Sequence, residues 1–198
     1  MNSKVLFYFN DNELNPPATD MMIKKAEEDM QIRFPQEFVE FMLTSNGVEG
    51  FCGEEYLSIW KIEDISPLNK AYEVNTFSPG LVYFGSDGSS AYAFNYCAKE
   101  IPIVKLEFIS LGLEEAELYG NDFFTFLDNL YNKHCDSSTQ DKPAVNPELQ
   151  GKIIHEIQPI RLGGSPTDLN NKVALTPYEH SELVVLWQKL LREIAPKT

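Results

Sequence analysis

The chain has 198 residues, 43% of them hydrophobic and 23% charged, which is ordinary for a globular protein. No apolar run approaches the roughly 18 residues that a membrane-spanning helix needs. The net charge of −14 argues against a surface that tracks a phosphate backbone, where lysine and arginine must dominate. Its distribution sharpens the point. From Gln150 onward six Lys/Arg stand against five Asp/Glu, so the first 149 residues carry the whole acidic excess. Such a field serves to keep an acidic domain in solution, or suits a basic protein partner, which it would steer into contact.

Cys52, Cys97 and Cys135 are widely spaced and form no CxxC pair. Reduced thiols in the cytoplasm are therefore expected, not a disulfide frame or a zinc knuckle. The opening MNSKVLFYFNDNELN has a short apolar burst that runs into Asn10-Asp11-Asn12-Glu13 with no cleavage-type site. It predicts a strand over Lys4–Phe9 and not a signal peptide.

After Pro16-Pro17, a helix is expected from Thr19 to Gln31, with Met22, Ile23, Ala26 and Met30 on one face. Pro35 opens a second, shorter helix carrying Phe38, Phe41 and Met42, and Asn46-Gly47 is expected to close it. Tyr56–Trp60 predicts a strand, and Ile62 to about Val74 a helix. Short strands follow near Leu81–Phe84, Ala91–Asn95, Ile101–Val104 and Glu107–Ser110, separated by Gly, Ser and Asp turns. Asn121–Tyr131, rich in Phe and Leu, predicts a closing helix. The fold class is α+β, a mostly antiparallel sheet flanked by helices.

Chemistry is absent from this first part. Residues 1–133 contain no histidine. Asp87, within Gly85-Ser86-Asp87-Gly88, reads as a turn aspartate bonding its own backbone, and the run lacks the Gly-Lys-Ser/Thr ending of a phosphate loop. Trp60, Tyr56, Tyr72, Phe77 and Tyr83 read as core, or as an aromatic anchor for a partner.

Several segments taken together resemble the SUKH superfamily: FPQEFVEFMLTSNGVEG, LSIWKIEDISPLNKAY, LVYFGSDGSSAYAFN and NDFFTFLDNL. The resemblance, of the Smi/Knr and bacterial immunity-protein type, runs from about Asp20 to Leu130. It implies protein binding: immunity members neutralise toxins, often nucleases, and other members regulate cell-wall synthesis.

His134 to Gln150 is polar, holds Pro143 and Pro147, and reads as a linker. His134-Cys135-Asp136 within it reads as a chance cluster. The expected organisation is a binding domain at 1–133, a linker at 134–150 and a small module at 151–198.

That module, through HEIQPIRLGGSPTDLNNKVALTPYEH, reads as strand, Gly163-Gly164 turn, strand and helix. Thr176-Pro177-Tyr178-Glu179 is a capping box with proline at the first helical position. It puts His180 in the first helical turn, able to face His155 across the hairpin. The pattern resembles an HNH-type ββα-metal nuclease module. The resemblance implies that His155 and His180 are metal ligands and that Asn171 orients the catalytic loop. Glu156 stands where the family's general-base histidine belongs, and Val184 where a third ligand is expected. Glutamate, with an ordinary pKa of about 4.3, is a weaker base near neutral pH. Valine ligates nothing, so the module reads as degenerate.

A plainer reading stands beside this one, since His180, Leu183, Val184 and Trp187 have the spacing of a buried stripe. No resident cofactor is expected, and a divalent cation (Mg²⁺, Mn²⁺, Ni²⁺ or Zn²⁺) enters only through His155 and His180. The expected partner is a basic protein, with a nuclease toxin as its type. Nucleic acid enters only if the module is active, and no membrane is involved.

Overall fold

Local signals set most of the helices. In the computed structural model, which describes residues 3–9, 14–110, 113–133 and 147–194, Thr19 caps α2 (Asp20–Met30) by accepting from Met22 N at 3.3 Å. Gln31, at φ 57°, ends it in the left-handed region. α3 (Gln36–Met42) starts directly after Pro35. α6 (Phe123–Asn132) is capped by Asp122, which accepts from Thr125 N at 2.8 Å.

Six strands form one antiparallel sheet in sequence order: β1 (Val48–Cys52), β2 (Glu55–Ile59), β3 (Leu81–Ser86), β4 (Ser90–Asn95), β5 (Ile103–Glu107) and β6 (Glu117–Gly120). The α+β class with an antiparallel sheet is thereby established, and a small second sheet and a helix follow it. Between β2 and β3 the chain makes α4 (Ile62–Ala71) and the single turn α5 (Val74–Phe77).

Both faces of the central strands are covered. Every residue of β3 is buried, and every residue of β4 except Asn95. This is why LVYF and AYAF read as continuous apolar runs and not as alternation. On one face Phe84 and Phe94 meet Phe38 of α3, and Phe84 also meets Phe123 and Phe126 of α6, with ring centroids 4.4–6.0 Å apart. On the other, Tyr83 and Phe108 meet Tyr72, which stacks on Trp60 at 5.8 Å.

The C-terminal part closes this second face. It consists of β7 (Ile153–Glu156) paired with β8 (Lys172–Leu175), then α7 (Pro177–Ile194). Val184 of α7 belongs to the main core. Gln188 Nε2 donates to Phe108 O at 2.8 Å, and Lys189 pairs with Glu73 at 2.8 Å. Arg192 lies over the Phe77 ring and donates to Phe77 O at 3.0 Å. No helix among the described residues is long and apolar enough to cross a membrane.

Four expectations are corrected. Lys4–Phe9 forms no strand; α1 (Ser3–Tyr8) is helical, with Val5, Tyr8 and Phe9 buried and Phe7 exposed. A short apolar run has no period of its own, so packing chose the helix. Asn46-Gly47 does not close α3, which ends at Met42. Asn46 Oδ1 accepts from Ile62 N at 2.8 Å and so caps α4. Gly47, at φ 77°, lies where a Cβ would be 2.5 Å from Ile59 O. The single helix expected to Val74 breaks at Glu73, at φ 50°. Finally, in place of two strands at 101–104 and 107–110 there is one, β5 (Ile103–Glu107), with 101–102 and 108–110 outside it, while β1 and β6 were not anticipated.

Candidate functional site

His155 and His180 do face each other. Their ring centroids lie 4.9 Å apart in a T-shaped arrangement, one on β7 and the other in the first turn of α7. The capping box puts His180 there: Thr176 N donates to Glu179 Oε2 at 2.9 Å, and Glu179 N donates back to Thr176 Oγ1 at 3.4 Å. The hairpin register, with His155 opposite Val173, brings the strand histidine alongside.

Both rings are inside the protein, with His155 5% and His180 2% exposed. Burial, with His155 as a second cause, pushes the His180 pKa down to about 3. Burial also lowers that of His155, against the opposing pull of Glu156. Both rings are neutral near pH 7. His180 Nδ1 is 2.8 Å from the Tyr72 hydroxyl, and its ring packs edge-on against Phe108 at 4.7 Å. The Tyr72 hydroxyl is itself held protonated, by burial first and by Tyr83 next. His155 Nε2 is buried with no hydrogen-bond partner among the described residues.

Asn171 bonds to the loop that follows β7. Its Nδ2 donates to Gln158 O at 3.0 Å and to Ser165 O at 3.1 Å, and its Oδ1 accepts from Gln158 N at 2.8 Å. It therefore pins the loop that joins β7 to β8. Gly164 is required in that loop, because a Cβ there would be 1.8 Å from Gln158 O.

Glu156 follows His155 directly on β7, so its side chain points from the opposite face of the strand. It pairs with Lys172 at 3.5 Å. Asp168 accepts from Asn170 N at 2.9 Å and caps the turn Leu169–Asn171. Val184, 3% exposed, packs in the core. Catalytic zinc sites use three protein ligands and an open position. Among the described residues no group of three His, Cys, Asp or Glu side chains converges in that way. The two histidines present do not by themselves fit a metal ion.

The buried stripe of α7 is His180, Ser181, Val184, Gln188 and Leu191. Leu183 and Trp187 lie half-buried at its side. Sequence reasoning missed Tyr72 and Phe108 as neighbours of His180. Tyr72 lies 108 residues away in the chain, and no local pattern links them. The cluster His134-Cys135-Asp136 lies outside the described residues. Asp87 is the expected turn aspartate: its Oδ1 accepts from Ser89 N at 2.9 Å and Ser90 N at 2.8 Å. Burial works to raise its pKa, but Lys105 and these backbone donors hold it below the usual carboxylate value.

Residues 17–129, which hold α2, α3, all six strands of the large sheet, α4, α5 and most of α6, match the SMI1 / KNR4 family (SUKH-1). This chain belongs to the SMI1/KNR4 (SUKH-1) family. The match covers the helix-flanked sheet and stops before β7, so the ββα part lies outside it. The chain is also similar to "Uncharacterized protein YnaB" of Bacillus subtilis (strain 168), 34% identical over 89 residues. That alignment takes in 45% of this chain and 54% of the relative, so the chain spans about half the length of the curated relative it matches. The SUKH domain contributes Tyr72 and Phe108 to the histidine site, and the ββα part contributes His155 and His180.

Proposed function

We propose that this SUKH protein acts by binding another protein, as an immunity factor that neutralises a nuclease-type toxin in the cytoplasm, with its HNH-like tail catalytically inactive. The carrying observation is the fate of His180. The expected helix ligand is 2% exposed, hydrogen-bonded to Tyr72 and packed on Phe108. This ring holds the tail to the sheet, and only its Nε2 is left to offer a metal or a phosphate. The net charge of −14, concentrated in the SUKH domain, fits a basic partner.

The test is affinity capture from the native host, followed by co-production of the chain with each basic protein recovered. The expected result is a salt-sensitive complex and protection of growth against a toxic nuclease. Repeated capture without a protein partner, or a recovered nuclease whose toxicity is unchanged, would defeat this reading.

A second reading has its own support: the facing of His155 and His180, and the Asn171-pinned loop. In it the tail is a metal-dependent endonuclease that the SUKH domain positions, with Glu156, once released from Lys172 and turned toward His155, as base and Asp168 or a water completing the metal shell. Plasmid DNA and structured RNA incubated with Mg²⁺, Mn²⁺, Ni²⁺ or Zn²⁺ would then be cleaved. Both His155→Ala and His180→Ala would abolish the cleavage, and activity that survives either change rules the reading out.

A further inference from the structure

Between the sheet and the β7–β8 hairpin lies a cleft of about 780 Å³. This is within the roughly 300–1,000 Å³ typical of small-molecule sites. Its walls are mainly apolar, including Phe51, Tyr56 and Phe108 from the SUKH domain and Ile154 and Ile160 from the tail. Both histidines line it.

Two polar groups of the lining stand out. His155 Nε2 is buried and without a partner among the described residues. An orphaned buried nitrogen is unfavourable until something bonds to it. The other is Lys152, an exposed cation just before β7 that makes no ion pair among the described residues.

The remaining charges on the walls are occupied. Asp87 pairs with Lys105, and Glu156 with Lys172 at 3.5 Å. Arg161 is shared between Glu115 at 3.0 Å and Glu107 at 3.7 Å. Lys152 makes no ion pair among the described residues. The Arg161 cluster carries one carboxylate in excess and follows the far end of β7, away from Lys152. Of the charges lining the cleft, Lys152 is the one without an ion pair among the described residues, although its charge acts on Glu179, and it lies at the end away from the Arg161 cluster.

We infer that this cleft binds a small amphiphile, a flat apolar body with one anionic group lying toward Lys152 and a polar atom on His155 Nε2. The inference is independent of the immunity reading, since it concerns a ligand and not the protein partner.

The probe is 8-anilinonaphthalene-1-sulfonate, titrated into the full chain beside its uncharged analogue N-phenyl-1-naphthylamine. Fluorescence reports affinity, and NMR follows the His155 imidazole signals. Saturable one-to-one binding of the sulfonate is expected, at least tenfold tighter than the analogue, with the His155 signals shifting. Lys152→Glu should weaken it at least tenfold, and Ile154→Trp, which fills the cleft from an exposed position, should abolish it. Leu186→Glu, on the exposed side of α7, should leave it unchanged. Thermal unfolding checks that each variant is folded.

Equal affinity for both probes, or wild-type affinity in Lys152→Glu, overturns the anionic end. Wild-type affinity in Ile154→Trp, loss in Leu186→Glu, or unmoved His155 signals overturn the site. Failure of both probes to saturate overturns the small ligand and assigns the cleft to a macromolecular surface.

Discussion

Acid should weaken this protein through His180, and replacing that histidine should remove much of the effect. In the folded chain the pKa of His180 is pushed down to about 3 from its ordinary 6.5. A lowered folded value means that the unfolded chain takes up the proton first. The stability due to a neutral His180 is therefore complete above about pH 6.5 and is lost progressively as pH falls toward 3. One pKa unit is worth about 1.4 kcal/mol, so the loss between pH 7 and pH 5 is about 2 kcal/mol. The ring is 2% exposed, so solvent screening takes little from that figure. His180→Leu keeps the apolar packing and removes the titration. Urea unfolding of both proteins at pH 7, 6 and 5 gives the difference directly, because other titrating groups contribute similarly to each. The wild type should lose about 2 kcal/mol more than the variant by pH 5. Parallel curves down to pH 5 would refute the burial argument.

Tyr72→Phe should destabilise the chain by about 1–3 kcal/mol in the same assay, because it removes the partner of the buried His180 Nδ1; an unchanged midpoint would mean that the bond contributes nothing. Asn171→Ala frees both ends of the β7–β8 loop and should abolish hydrogen-exchange protection at Gln158 N while that at Tyr83 N in the SUKH domain stays. Gly164→Ala meets Gln158 O and should speed proteolysis within residues 157–171 at least tenfold; wild-type cleavage there would show that the loop relaxes freely. A chain ending before Pro147 uncovers Tyr72, Tyr83 and Phe108. It should melt well below the full chain, whereas an equal melting temperature would make the tail dispensable for the domain.

The tail and the SUKH domain were legible to different depths. Thr19, Pro35, Asp122 and the Thr176–Glu179 box mark helix starts because capping is local: the donor and acceptor lie within three residues. The facing of His155 and His180 was legible at longer range, since a single hairpin and one helical turn join them. β1 and β6 escaped notice because VEGFC and ELYG carry little alternation, and neighbouring strands define them. α1 was misjudged because a six-residue apolar run fits either period.

Sequence by itself determined the family, the acidic surface, the helix starts and the pairing of two histidines across a hairpin. All of these depend on neighbours in the chain or on composition. Only the tertiary structure decided what those histidines touch. Tyr72 and Phe108 come to His180 because α7 closes the second face of the sheet. That closure also makes the cleft, leaves His155 Nε2 without a partner among the described residues and turns a ligand-like pattern into part of a core. Such contacts are set by which apolar faces must be covered, a property of the whole fold that no local run of residues encodes.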